Sequence, residues 1–225
     1  TQDIIFFSDQ DDVWLPHKLE KMSVVFEQYP EVGMVFSDAF VSDSYLTYLG
    51  YSVYDQIPVK RYIDKILKPG EFTYFFFRKL SLLGCLTAIN MKLCNELLPI
   101  PAYWSHDNWI PLAASIKKSV ACISDKLFHY RQHHQQLYGI RKKNIIDRII
   151  DIMDIDFYQL KMRYLFNKML WLEGLVRLFR IDNNSNIHNI IITYLKHIDN
   201  RYNLILPLSD RIKIVFKEYL EGNYN

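Results

Sequence analysis

The first half of the chain alternates short apolar runs with polar breaks, and the last third carries long apolar stripes at helical spacing. Residues 4–7 (IIFF) are a short greasy run bounded by polar residues, which predicts a strand buried on both faces. A helix is expected to open at Pro16, because Leu19, Met22, Val25 and Phe26 recur at helical spacing before Tyr29-Pro30 stops it. Residues 33–37 read as a second buried strand. The strand–helix–strand order then predicts a right-handed crossover and a parallel pair.

Residues 38–70 show no usable period and read as a long loop region, with Gly50, Pro58 and a Lys-Pro-Gly turn at 68–70. A helix is expected over 72–80, a strand over 86–91 after Gly84, and a short helix over 92–98 stopped by Pro99-Ile100-Pro101. Pro111 lacks an N–H and suits a first turn, so a helix should start near 105–108 and end about Lys118. Residues 120–123 and 127–130 read as two further short strands. From Asn144 onward, Ile146, Ile149, Met153, Phe157 and Leu160 form one helical stripe, and Leu165, Met169, Leu172, Val176 and Phe179 continue it. Breaks at 182–186 and at Pro207 set off two more helices. The organisation expected is an α/β unit over 1–140 followed by a helical extension over 141–225.

Composition narrows the class. The 225 residues are 50% hydrophobic, 15% aromatic and 23% charged, which is globular and sufficient for a core. A net charge of +2 leaves no nucleic-acid footprint. Cys85, Cys94 and Cys122 lack metal-site or disulfide spacing and read as reduced thiols of a cytoplasmic protein. No apolar run reaches the roughly 18 residues of a membrane span. The extension is mildly basic, and with Trp171, Phe179, Arg177 and Arg180 it could rest on the inner face of a cell membrane, although the same stripe would pack equally well on the α/β unit.

Three strings carry candidate chemistry. In Ser8-Asp9-Gln10-Asp11-Asp12, an extended backbone would turn Asp9 and Asp11 to one side at the end of a buried strand. Two carboxylates there suit Mg²⁺ or Mn²⁺ with a bound diphosphate; an acidic turn with Asp12 capping the next helix accounts for the same residues. In Ser105-His106-Asp107-Asn108-Trp109, Asp107 is either a helix cap or a general base that the helix dipole keeps ionised. In Tyr130-Arg131-Gln132-His133-His134, Arg131 could meet a diphosphate and His133 could complete a metal site, whereas a solvent-facing His pair is the plainer reading. Asp147, Asp151 and Asp154 share a helix face and read as a solvated acidic face.

Taken together, FFSDQDDVWLPHKLEKM, VFSDAFVSD, LLGCLTAIN, SHDNWIPLAA and YRQHHQQLYG resemble, in order, motifs of the family 2 glycosyltransferases, inverting enzymes of the GT-A fold, in their bacterial rhamnosyltransferase-like branch. The resemblance covers about residues 3–140. It implies a Rossmann-like mixed sheet and a nucleotide-sugar donor (a dTDP- or UDP-sugar). It also implies a saccharide or lipid-linked saccharide acceptor, and a role in surface polysaccharide synthesis. Carried onto this chain, it places Asp9 near the donor, Asp11 on the metal, Asp107 as the base, and Arg131 or His133 beside the departing diphosphate. Gly84, His106 and Trp109 fall on the acceptor side. It further implies that the chain is the C-terminal portion of such a domain and binds donor poorly by itself. Two alternatives stay open: a catalytically incomplete module that docks a partner or membrane, and a Mg²⁺-dependent phosphate hydrolase.

Overall fold

A computed structural model describes residues 3–57, 59–73, 75–76, 82–101, 104–133, 179–182 and 185–202. The chain divides into two compact units, Thr1–Ile140 and Arg141–Asn225. The first is a mixed α/β unit. Its strands are β1 (Ile4–Phe6), β2 (Val13–Trp14), β3 (Val32–Ser42), β4 (Tyr48–Ser52), β5 (Lys65–Leu67), β6 (Thr87–Asn90) and β7 (Ser119–Arg131). Its helices are α1 (Lys18–Gln28), α2 (Met91–Leu97) and α3 (His106–Lys117). In the second unit the described helix is α4 (Asn186–Tyr202), which Ser185 starts by accepting the His188 N–H on its hydroxyl at 3.1 Å.

The strands form one mixed sheet in the order β1-β6-β3-β7-β2, with β4 beside β3 and β5 beside β7. Among the described residues only β3 and β7 pair in parallel; every other neighbour is antiparallel. The sheet curls, so that Phe6 on one edge strand and Trp14 on the other have ring centroids 6.2 Å apart. The core follows from the central strand. Val32 and Val35 of β3, Ala88 of β6, and Ala121 and Leu127 of β7 pack under Met22 and Phe26 of α1. A second apolar cluster gathers Phe36, Tyr54, Tyr62, Phe72, Phe75 and Phe76 in stacked and edge-to-face pairs.

Several expectations need correction. The strands β1 and β3 run in the same direction but are not paired: β6, some eighty residues later in sequence, lies between them and is antiparallel to both. Because β1 is an edge strand, it is half-buried and not buried on both faces. Residues 38–70 are not a loop. The central strand runs on to Ser42, with the Asp38 and Ser42 side chains hydrogen-bonded, and β4 and β5 follow. The two short strands expected over 120–130 are one 13-residue strand, whose bulged parallel register with β3 absorbs the polar Ser124-Asp125. Pro111 lies at the sixth residue of α3, inside the helix and past its first turn. On α1, Leu19 is 48% exposed and Lys18 is buried in its place, so the inward stripe starts one residue earlier than the hydrophobic pattern indicates.

Thr73, Phe75 and Phe76 are helical, while the rest of the helix expected over 72–80 lies outside the described residues beyond Phe76. So do the stripe residues over 146–176, the break at Pro207, Trp171, Arg177, His134 and the Asp147/Asp151/Asp154 face. Among the described residues no helix is long and apolar enough to cross a membrane.

Candidate functional site

The acidic string forms the link between the two edges of the sheet. The Phe7 N–H still reaches the Thr87 carbonyl at 3.2 Å, after which the backbone leaves the ladder, turns at Gln10-Asp11 and re-enters as β2. The turn breaks the alternation that would place Asp9 and Asp11 on one side. Instead Asp9 and Asp12 face the Cys85 thiol, with ligand atoms of all three within 4.8 Å of one another. Asp11 points to His133, whose Nε2 lies 3.0 Å from Asp11 Oδ2. Asp12 caps no helix, since α1 starts at Lys18 with His17 in the capping position. Its Oδ1 accepts the Arg131 main-chain N–H at 3.3 Å, and its Oδ2 is buried with no hydrogen-bond partner.

The second string arrives on α3. Ser105 sits at the helix start in extended conformation, and its carbonyl accepts from the Asn108 and Trp109 N–H groups. This places Asp107 in the first turn, beside the tight Gly84–Leu86 turn that precedes β6. A Cβ on Gly84 would stand 2.3 Å from Asp107 Oδ1, so only glycine allows the Gly84 backbone to approach the Asp107 carboxylate this closely. His106 Nε2 lies 2.9 Å from Oδ1, and Phe7 stacks on the His106 ring with centroids 5.8 Å apart. The His106 contact is not aligned as a hydrogen bond, and Oδ1 remains a buried acceptor without a donor.

Electrostatics tie the two strings together. Burial is the main cause that lifts Asp107 above the ordinary carboxylate range. The charge of Asp9 adds to it, against the opposing pull of His106 and the Gly84 N–H. Asp12 is pushed up to about 6, first by burial, with Asp9 and Asp11 adding repulsion. Burial, and then Asp12 and Asp9, drive the Cys85 thiol well upward. Tyr130, at the start of the third string, is raised chiefly by burial, with Cys85 and all three aspartates contributing.

Of the residues singled out in the sequence, Asp9, Asp11, Gly84, His106, Asp107, Arg131 and His133 all belong to this corner, linked by the contacts just given. Arg131 has a buried Nε without a hydrogen-bond partner, a donor left over for an incoming acceptor. Trp109 does not face a ligand: it is 3% exposed, and its indole N–H donates to the Leu97 carbonyl at 2.9 Å. The sequence reading gave no role at the site to Cys85 or Lys18 and took Asp12 for a cap. Cys85 stood next to the noted Gly84, which was the available signal. Lys18 carries none, since lysine in a helix is ordinarily a surface residue.

The carboxylates are hard oxygen donors that fit Mg²⁺ or Mn²⁺, and the His133 imidazole adds a donor that suits Mn²⁺. The orphaned Asp12 Oδ2 and the mutual repulsion of the three aspartates are what a bound divalent cation would relieve. The chain matches no protein-family model, and no curated protein is significantly similar to it.

Proposed function

We propose that the 1–140 unit carries the metal and acceptor side of an inverting GT-A glycosyltransferase. It would transfer a hexosyl or rhamnosyl group from a dTDP- or UDP-sugar to a hydroxyl of a saccharide or lipid-linked saccharide. The observation that carries this reading is the Asp107 carboxylate. It is lifted in pKa by burial, has a buried Oδ1 open to a proton, and lies next to a cluster of carboxylates 95 and more residues earlier in the chain. A base raised toward neutral pH is better matched to a hydroxyl than an ordinary exposed aspartate.

In this reading Asp107 takes the proton of the acceptor hydroxyl as its oxygen bonds to the anomeric carbon. The bond from that carbon to the diphosphate oxygen breaks on the opposite face, and the electron pair leaves with the nucleoside diphosphate. A single displacement inverts the anomeric centre. Asp9, Asp11, Asp12 and His133 would hold Mg²⁺ or Mn²⁺, which supplies positive charge to the departing diphosphate. The Arg131 Nε–H donates to the same leaving group. Lipid-linked acceptors would place the reaction at the cytoplasmic face of a membrane, reached by peripheral contact.

The test is stereochemical. With Mn²⁺, a nucleotide-sugar and a saccharide acceptor, NMR of the product should show the anomeric configuration opposite to that of the donor. Retention of configuration, or release of free sugar or phosphate with no glycoside formed, would contradict the proposal.

A further inference from the structure

Lys18 is fully buried, an unusual place for an ammonium group. A methionine would fill the same slot on the inward stripe of α1 without the cost of stripping water from a charge. What the ammonium adds is directional. Its Nζ donates to the Cys85 main-chain carbonyl at 2.8 Å. It also lies 4.2 Å from the centroid of the Trp14 ring and 4.1 Å from that of Phe128. Trp14 and Phe128 are register partners across β2 and β7, so their rings form a rigid clamp built on the sheet. The charges of Asp12 and Asp9 also reach the ammonium, while burial lowers its pKa to about 8.

The clamped carbonyl belongs to the middle residue of the Gly84–Leu86 turn. The residue before it, Gly84, stands against the Asp107 carboxylate with no room for a side chain between them. The turn is held on its other side by Thr87, whose hydroxyl donates to the Gly84 carbonyl at 2.8 Å. Without Lys18, the Cys85 carbonyl would be a buried acceptor with its strongest partner gone, and the turn would be free to move.

We propose that Lys18 is a positioning residue: clamped between Trp14 and Phe128, it fixes the Gly84–Leu86 turn and through it sets the Asp107 carboxylate. The consequence for catalysis rests on Asp107 being the base, and the test separates the two claims. The protein has seven glycines, so 15N-glycine labelling gives a spectrum in which the Gly84 amide can be followed and assigned with Gly84→Ala. Lys18→Met keeps the methylene packing and removes the donor. It should shift the Gly84 amide resonance and change its exchange rate while the other glycine peaks stay in place. Asp107→Asn should shift the same peak, and Lys18→Gln, which retains an N–H, should restore part of the wild-type position. In the transfer assay Lys18→Met should lower kcat about 10- to 100-fold, the scale of a misplaced catalytic group, with donor KM unchanged.

An unmoved Gly84 resonance in folded Lys18→Met protein would overturn the proposal. Should Lys18→Met fail to fold, the Lys18→Gln spectrum decides: a Gly84 peak at its wild-type position and exchange rate in that weakened variant also overturns it. Whatever the transfer assay shows, the amide spectrum alone decides whether Lys18 sets the turn, and the stereochemical test alone decides the glycosyltransferase reading.

Discussion

Asp38 and Asp107 are both lifted above the ordinary carboxylate range chiefly by burial, yet their surroundings differ in kind. Asp38, in the central strand, is 3% exposed and is met on every side. Its Oδ1 accepts the Ala39 N–H at 2.8 Å and the Tyr54 N–H at 2.9 Å, and Lys126 stands 4.0 Å from Oδ2. Asp107 and Asp12 each keep a buried oxygen with no hydrogen-bond partner. Buried oxygens without donors are costly, so folding alone would not favour leaving them so. The contrast separates a carboxylate that ties the backbone together from carboxylates held ready for a proton or an ion.

The largest break in this comparison is Asp38→Ala. It strands two buried backbone N–H groups, and at about 1–3 kcal/mol each the loss should total about 2–6 kcal/mol. Urea unfolding measures it directly; Asp38→Asn, which keeps Oδ1, should lose much less. A loss under about 1 kcal/mol for Asp38→Ala would mean that the satisfied carboxylate is not a structural tie.

Gly84→Ala comes next. The added methyl would stand 2.3 Å from Asp107 Oδ1, and the end of that side chain is what must give way. Turnover should fall about 100-fold, as for a group displaced by about 1 Å, while the unfolding midpoint changes little. Equal losses of stability and turnover would instead mark Gly84 as a packing residue.

The smallest effect sharpens the comparison through pH. Asp12 titrates near 6 in the folded protein and near 3.8 when unfolded, so between these values the folded state binds the extra proton. The protein should therefore lose stability as pH rises from about 4 to about 6, in the absence of divalent ions. Asp12→Asn should flatten that slope, and Mn²⁺ should do the same if it occupies the site. An unchanged slope in Asp12→Asn would show that other groups carry it.

Much of this was legible in the chain because it depends on local pattern. The helices α1, α2 and α3 and the strand β6 follow apolar spacing and proline breaks, and the structure has them within a few residues of where the sequence puts them. What escaped depends on distant partners. The strand β3 continues through Asp38 and Ser42 because Tyr54 and His129, far along the chain, supply hydrogen bonds that make those two polar residues affordable in a sheet. The chain gave no local sign that β6 would enter between β1 and β3. In the site, the residue types were readable, but their grouping was not. A turn at Gln10-Asp11 assigns Asp12, and not Asp11, to Cys85, and a buried Lys18 in place of Leu19 is invisible to any hydrophobic stripe.

The central claim is that the incompletely satisfied corner does chemistry while the satisfied one does not. It is tested most directly by measuring turnover and urea stability together for Asp107→Asn, with Asp38→Asn in parallel. Asparagine keeps the shape of Asp107 but cannot take a proton. The account predicts that transfer by the full protein falls about 10²- to 10⁴-fold in Asp107→Asn with its unfolding midpoint unchanged, while folded Asp38→Asn keeps its turnover. Near-normal transfer by Asp107→Asn would contradict it.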